Sequence, residues 1–306
     1  MLKHIAILLS LFLPLPAISQ IFEYAVPEKL PSAVNTDEEE SSPLLSMDGS
    51  KLFFTRLLCP ENIGGKYTGS DIWSIDHIGT TWGTADNIKI NLNNKNNNAV
   101  IGMSTAGDVL YLMDASSTSK INGIYISKRV NEMWTKSELI PLSGIESDGF
   151  VSFYASPELD VLFVSMNGKD SKGEEDLYVC IKEDSAVWSK PKNLGSTINT
   201  SGFEISPFLS ADKRRLYFSS NGHPGLGDAD IFYSDRLYDS WETWSIPKNL
   251  GTNINSTNFD AYFSQYGDSV AYFTSNRQSE LSNIFKSKVA SLLWYSSLVS
   301  CSFHMQ

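Results

Sequence analysis

The chain repeats one short text five times. At intervals of 52 to 58 residues a turn runs straight into an apolar strand: Ser46-Met47-Asp48-Gly49-Ser50-Lys51-Leu52-Phe53-Phe54, Ser104 to Leu112, Ser156 to Val164, Ser210 to Phe218, and Ser264 to Phe273 with one residue added. A period of this length marks a solenoid, propeller or array, because one unit cannot bury its own apolar face and must stack on copies of itself.

Each unit carries a second signature, in which Asp, Asn or Gly precedes a β-branched or aromatic pair: Asp71-Ile72-Trp73, Gly123-Ile124-Tyr125, Asp176-Leu177-Tyr178, Asp230-Ile231-Phe232 and Asn283-Ile284-Phe285. The first residue closes a turn and the rest is strand. A third signature sets Trp82, Trp134, Trp188 and Trp244 at spacings of 52, 54 and 56. One Trp per unit at constant phase is a packing residue between neighbouring sheets. About four strands per unit, arranged radially, predict the blades of an all-β β-propeller.

The phase of the repeat predicts how the ring closes. A shift of 164 residues superimposes Pro27-Glu28-Lys29-Leu30 on Pro191-Lys192-Asn193-Leu194 and Val34-Asn35-Thr36 on Ile198-Asn199-Thr200, with Tyr24 at the place of Trp188. The N-terminal segment is thus an outermost strand lacking the rest of its blade, and the fifth unit lacks its own copy. Phe22 to Leu30 is expected to complete the last blade by pairing near Ile284 to Lys286, leaving no open sheet edge. Five blades are expected; six is the alternative if the C-terminal tail supplies further strands.

Met1 to His4 followed by an apolar run from Ile5 to Ile18 has the form of a secretory signal peptide, with Ala17-Ile18-Ser19 as its small-residue end. The expected organisation is a signal peptide at 1–19, a propeller at 20–288 and a tail of unassigned structure at 289–306. No transmembrane segment is expected after cleavage, and localisation is expected to be periplasmic or extracellular. The formal charge of −11 repels phosphate backbones and argues against nucleic acid as a partner. Cys59, Cys180 and Cys301 are far apart and odd in number, which reads as isolated thiols with one bridge left open.

The texts Ser206-Pro207-Phe208-Leu209-Ser210-Ala211-Asp212, Leu216-Tyr217-Phe218-Ser219-Ser220-Asn221-Gly222 and Gly225 to Phe232 resemble the WD-like propeller repeat of the TolB type, in the version found in envelope proteins of Bacteroidetes. The resemblance covers about residues 22 to 288 and is weakest in the second unit. It implies an exported propeller that binds something. The OmpA-like and tetratricopeptide regions often joined to this repeat are not seen in the sequence, and neither is a lipobox cysteine.

Chemistry-bearing patterns are sparse. There are four His, no G-x-S-x-G motif and no sialidase Asp-box spacing, so no catalytic residue, metal ligand or cofactor is assigned. The loop Asn221 to Asp230, with His223 and Asp228, has the oxygen donors of a Ca²⁺ or ligand loop, but also reads as a long turn whose Asp caps the next strand, as at Asp71 and Asp176. Glu40 and Glu204 stand in equivalent positions before a first strand, with Asp260 nearby in the fifth unit, and are candidates for contacts in the central channel. The expected function is a non-enzymatic binding module for a protein or envelope component. The alternative is a carbohydrate-active or other hydrolytic propeller using acidic channel residues.

Overall fold

A computed structural model describes residues 21–87, 92–115, 123–147, 149–183 and 187–292, so the expected signal peptide and most of the expected tail lie outside the described residues. Every regular element among them is a strand, grouped into five antiparallel sheets. From the channel outward, blade one is Glu39–Leu45, Lys51–Leu57, Asp71–Ile78 and Asp86–Asn87. Blade two is Asn97–Met103, Val109–Ala115, Gly123–Val130 and Glu138–Pro141. Blade three is Val151–Ala155, Val161–Met166, Asp176–Ile181 and Lys192–Asn193. Blade four is Glu204–Leu209, Arg215–Ser220, Asp230–Asp235 and Lys248–Asn249. Blade five is Asp260–Tyr266, Val270–Ser275 and Asn283–Leu292, completed by Ile21–Tyr24 and Glu28–Lys29. Short hairpin strands, Thr81–Trp82 and Met133–Trp134, extend the ends of blades one and two.

The fold is therefore a five-bladed β-propeller, and the six-blade alternative falls away. Five apolar clusters lie between the blades. Leu162, Val164 and Tyr178 of blade three meet Ile101, Tyr111 and Ile124 of blade two. Phe163, Leu177 and Val179, on the other face of blade three, meet Leu209, Leu216 and Phe232 of blade four. The remaining clusters join blades five and one, four and five, and one and two. A blade is thus buried on both faces, and its second strand, Val161–Met166 or Arg215–Ser220, is buried at every residue. Trp188 and Trp244 are buried in two of these interfaces, while Trp82 and Trp134 are half-buried. Cys59 and Cys180 are buried free thiols, and burial pushes them up to about 11 and about 12.

Closure takes the expected form. Ile21 to Tyr24 pairs with Val289 to Leu292, and Glu28 and Lys29 pair with Lys286 and Phe285. The last strand runs on to Leu292, past the end of the repeat text at residue 288. Tyr24 donates its hydroxyl to Gln265 Oε1 at 3.0 Å, and its carbonyl accepts from Asn253 Nδ2 at 2.7 Å. Leu30 is buried against Ile284 and Tyr272. Deleting residues 21–30 removes two buried side chains and opens the edge of Asn283–Leu292, so it should cost more than about 3 kcal/mol in urea unfolding. An unchanged midpoint would refute the closure.

Candidate functional site

The geometry of the site starts at the junctions between blades. The outermost strands of blades three and four are only two residues long, because the chain must leave for the next blade. That leaves the N–H of the third strand without a strand partner at Leu177 and Ile231, whose carbonyls accept Leu194 N and Leu250 N at 3.0 and 3.1 Å. An asparagine beyond the junction takes the place of the absent strand. Asn199 accepts from Leu177 N at 2.8 Å and donates to Leu177 O at 3.0 Å. Asn255 does the same at Ile231, at 2.8 and 2.9 Å. Asn35 clamps Ile284 and Asn93 clamps Ile72 in the same way, so four of the five junctions share the device.

The rest of the repeat text serves this clamp. Asn199 also donates to Asn193 Oδ1 at 2.9 Å, Asn193 donates to Asp176 Oδ2 at 2.8 Å, and Asp176 accepts Lys172 N at 3.0 Å. Asn255, Asn249, Asp230 and Leu226 N form the same series in blade four. Gly195 and Gly251 have φ of +81° and +82°, a left-handed turn that glycine adopts without steric cost, and each donates its N–H to the Asn two residues before it. The Asn-Leu-Gly text is thus a turn built to present a buried amide. Asn199→Ala should cost about 1 to 3 kcal/mol, since it strands the Leu177 N–H in a dry junction while the Leu177 carbonyl keeps its bond from Leu194 N. Chemical denaturation at fixed pH checks it, with the exposed Asn253→Thr as a milder comparison.

Five residues after the clamp stands a fully buried carboxylate. Glu40, Glu204 and Asp260 are each 0% exposed, and none lines the central cavity. Each holds the turn that follows its own clamp. Glu40 accepts Thr36 Oγ1 at 2.6 Å and Arg56 Nε at 2.9 Å. Glu204 accepts Thr200 N at 2.9 Å, Thr200 Oγ1 at 2.7 Å and Ser220 Oγ at 2.7 Å. Asp260 accepts Ser256 N at 2.6 Å and Arg277 Nη2 at 2.7 Å. Their place is structural, because these oxygens point into the wall and away from the channel.

The loop residues are spent in the same way. Arg56 caps Val34 O at 2.9 Å and Arg277 caps Ile254 O; in blade four His223 Nε2 takes the matching carbonyl, Ile198 O, at 2.7 Å. His223 therefore substitutes for an arginine. Asn221 Oδ1 accepts Phe203 N at 2.8 Å, and Asp228 is exposed two residues before the strand Asp230–Asp235. Among the described residues no group of three or more His, Cys, Asp and Glu is placed to hold a metal ion.

Burial pushes the Glu204 carboxyl above its usual 4.5, against the lowering effect of the Thr200 hydrogen bonds. An acid whose folded pKa is raised binds its proton more tightly in the native state. Its contribution is neutral below the unfolded value, turns unfavourable as pH rises above that value, and levels off above the folded one. Relative to wild type, Glu204→Gln should therefore gain stability from about pH 4.5 upward, on top of a constant penalty for the mismatched amide. A pH-independent difference in denaturation midpoints would contradict this.

The repeat breaks at one junction. Blade two has a four-residue outer strand that pairs through Ile124 and Ile140, so its third-strand edge needs no asparagine. Where the clamp would stand, five residues before Val151, the chain has Glu146 instead. Glu146 is exposed and lines a cavity of about 930 Å³ in the middle of the ring. All five inner strands contribute to it, among them Ser41, Asn97, Ser152, Phe208 and Tyr262, and Phe150 stands 45% exposed at its wall. Four of the inner strands slip register there, at Ser41/Leu44, Val100/Gly102, Ile205/Phe208 and Ala261/Ser264. Ser42, Ser206 and Tyr262 sit at three of these bulges with φ of 53°, 50° and 54°. Non-glycine residues rarely adopt this region, and bulges in it re-aim side chains at sites. Burial, then the charge of Glu39, pushes the Tyr262 phenol up to about 12. Glu146 carries no repeat signature, so its only sequence signal was the weakness of the second unit.

No protein-family model matches the sequence, and no curated protein matches it. Solved structures do resemble the ring. BT0996, in a complex with RGII, aligns with a TM-score of 0.56 at 11% identity, over 90% of this protein and 93% of that one. A glycoside hydrolase aligns at 0.55 and 12% identity, over 90% and 93%. A protein of unknown function from Dyadobacter fermentans aligns at 0.52 and 11% identity, over 88% and 98%. At such identities the likeness is one of fold, and the class it defines is a β-propeller. It nevertheless corrects the expectation of a non-enzymatic binding module. That expectation rested on the sparse catalytic patterns of the sequence, whereas a glycoside hydrolase matches the ring over nearly the whole length of both proteins.

Proposed function

We propose that the protein is a carbohydrate-active enzyme that hydrolyses a glycosidic bond in the central cavity. The observation that carries this reading is Glu146, an exposed carboxylate on the cavity wall at the one junction where the structural repeat is broken. Glycoside hydrolysis asks for a carboxyl group that protonates the leaving oxygen and a second that activates water or stabilises the sugar cation. Glu146 takes the first role. Glu39 takes the second: it lies two residues before the cavity-lining Ser41, on the same side of its strand, and its charge is felt by the cavity-lining Tyr262. Phe150, Phe208 and Tyr262 offer ring faces and edges for a sugar, and Ser41, Ser147 and Asn97 offer polar groups for its hydroxyls.

The apolar run read as a signal peptide accords with an enzyme that meets glycans outside the cytoplasm. The TolB-type resemblance rests on the repeat text of the fourth unit and fits the same exported setting.

Purified protein incubated with a panel of aryl glycosides and plant polysaccharides should release reducing ends. Glu146→Gln should lower kcat by about 100-fold or more, the usual weight of a positioned general acid, with an unchanged melting temperature because the side chain is exposed. No turnover on the panel, or a Glu146→Gln variant as active as wild type, would overturn the assignment.

A further inference from the structure

The ring has a second face with a different chemistry. The turns between first and second strands all lie there, and the far end of the third strand returns to them in each blade: His77 N donates to Ser50 O, Arg129 N to Asp108 O, Lys182 N to Asp160 O, Arg236 N to Arg214 O and Val289 N to Ser269 O. On this face, between blades one and two, lies a groove of about 790 Å³. Its floor is Met47, Phe53, Met103 and Trp134, and Met133 stands on its rim at 69% exposure. Trp188 and Trp244, in the same phase of the next two units, are closed over by their neighbours at 8% and 4% exposure. Trp134 instead meets Phe53 edge to face at 6.4 Å and stays half open.

We infer that this groove docks a basic, apolar peptide segment of a partner protein. Met47 and Met133 beside the half-open Trp134, resting on the buried Met103 and Phe53, make an adaptable apolar surface, of the kind that receives side chains of varied shape. The rim decides the sign of the occupant's charge. Lys51 is bridged to Asp76 and Arg129 to Glu132, so the basic groups are already neutralised. Asp48 and Asp86 remain as a net negative pair: hydrogen bonds from Ser46 and Ser50 hold the Asp48 carboxyl down at about 2, and Asp86 is exposed and forms no ion pair among the described residues.

The surroundings are of macromolecular extent. On the same face Ile78 and Tyr238 project from hairpin tips at 74% and 90% exposure. Carboxylates recur in the neighbouring turns at Asp108 and Asp212, each accepting a hydrogen bond from the turn serine, while Asp160 in the third turn is neutralised by Lys213 at 2.7 Å. A segment with Lys or Arg flanking Leu, Met or Phe would set its apolar side chains on the methionine floor and its cations on Asp48 and Asp86.

The test uses the full protein and the amidated peptides Lys-Leu-Phe-Lys and Glu-Leu-Phe-Glu, followed by ¹³C-methyl methionine NMR and calorimetry. The basic peptide should bind saturably, shift the Met47 and Met133 methyls, and weaken about tenfold in Asp86→Lys and at high salt. Met133→Ala should weaken it with no change in melting temperature, since that side chain is exposed. Equal binding of the acidic peptide, no saturable binding, shifts confined to methionines other than Met47, Met103 and Met133, or displacement by a neutral oligosaccharide would each overturn the inference. Turnover of glycosides is read separately and does not depend on the outcome.

Discussion

The ring depends on a side-chain amide standing in for a β-strand. In a radial array the outermost strand must be short, because the chain has to turn inward to start the next blade. The third strand is then left with an N–H that has no strand partner and faces an apolar seam, where an unmade hydrogen bond costs about 1 to 3 kcal/mol. Asn35, Asn93, Asn199 and Asn255 accept that N–H from the incoming chain and donate to the carbonyl of the same residue. The same amide thus finishes one blade and fixes the start of the next, so blade spacing and local hydrogen bonding are one constraint. Linked to Asn193 and Asp176, or to Asn249 and Asp230, it belongs to a series of hydrogen bonds that polarise one another in a low-dielectric wall.

That constraint explains where chemistry is available. Four junctions spend their polar residues on the clamp and on the buried carboxylate or amide behind it. The junction from blade two to blade three satisfies its strand edge with a longer outer strand and is relieved of the duty. Its loop is free to bring Ile145, Glu146, Ser147 and Phe150 to the cavity. A site in a repeat architecture arises where the repeat can be dispensed with, and functional groups belong to such departures rather than to the fold.

The strands, their number and the closure at Ile284 to Lys286 were legible because each is written as an apolar or aromatic pattern repeated at fixed phase. The roles of Asp71, Asp176 and Asp230 as turn-holding residues were legible for the same reason. The positions of Glu40, Glu204 and Asp260 were legible as equivalent, but not their direction. A strand alternates sides every residue, and a bulge at Ser42, Ser206 or Tyr262 changes which side faces the channel without leaving a mark in the sequence. His223 in place of an arginine was hidden because the two donors come from different points of the loop and meet equivalent carbonyls only in space. Glu146 was hidden because a lone glutamate in a degenerate unit carries no pattern at all.

The two-ended construction of the fifth blade sets the order in which the molecule can be completed. Ile21 to Lys29 is the first part of the ring to be made, yet its pairing partners, Asn283 to Leu292, are the last part of it. Blades two to four can gather from neighbouring sequence as synthesis proceeds, while blade one waits for blade five on one side. Until then the first-made strand has no edge to join and the ring is an open arc with two uncovered sheet faces. Contacts between the two ends of a chain carry the largest loop-closure entropy and slow folding most. Closing the ring is therefore the late, slow step, and a chain halted before its last strand would hold four blades and two sticky surfaces.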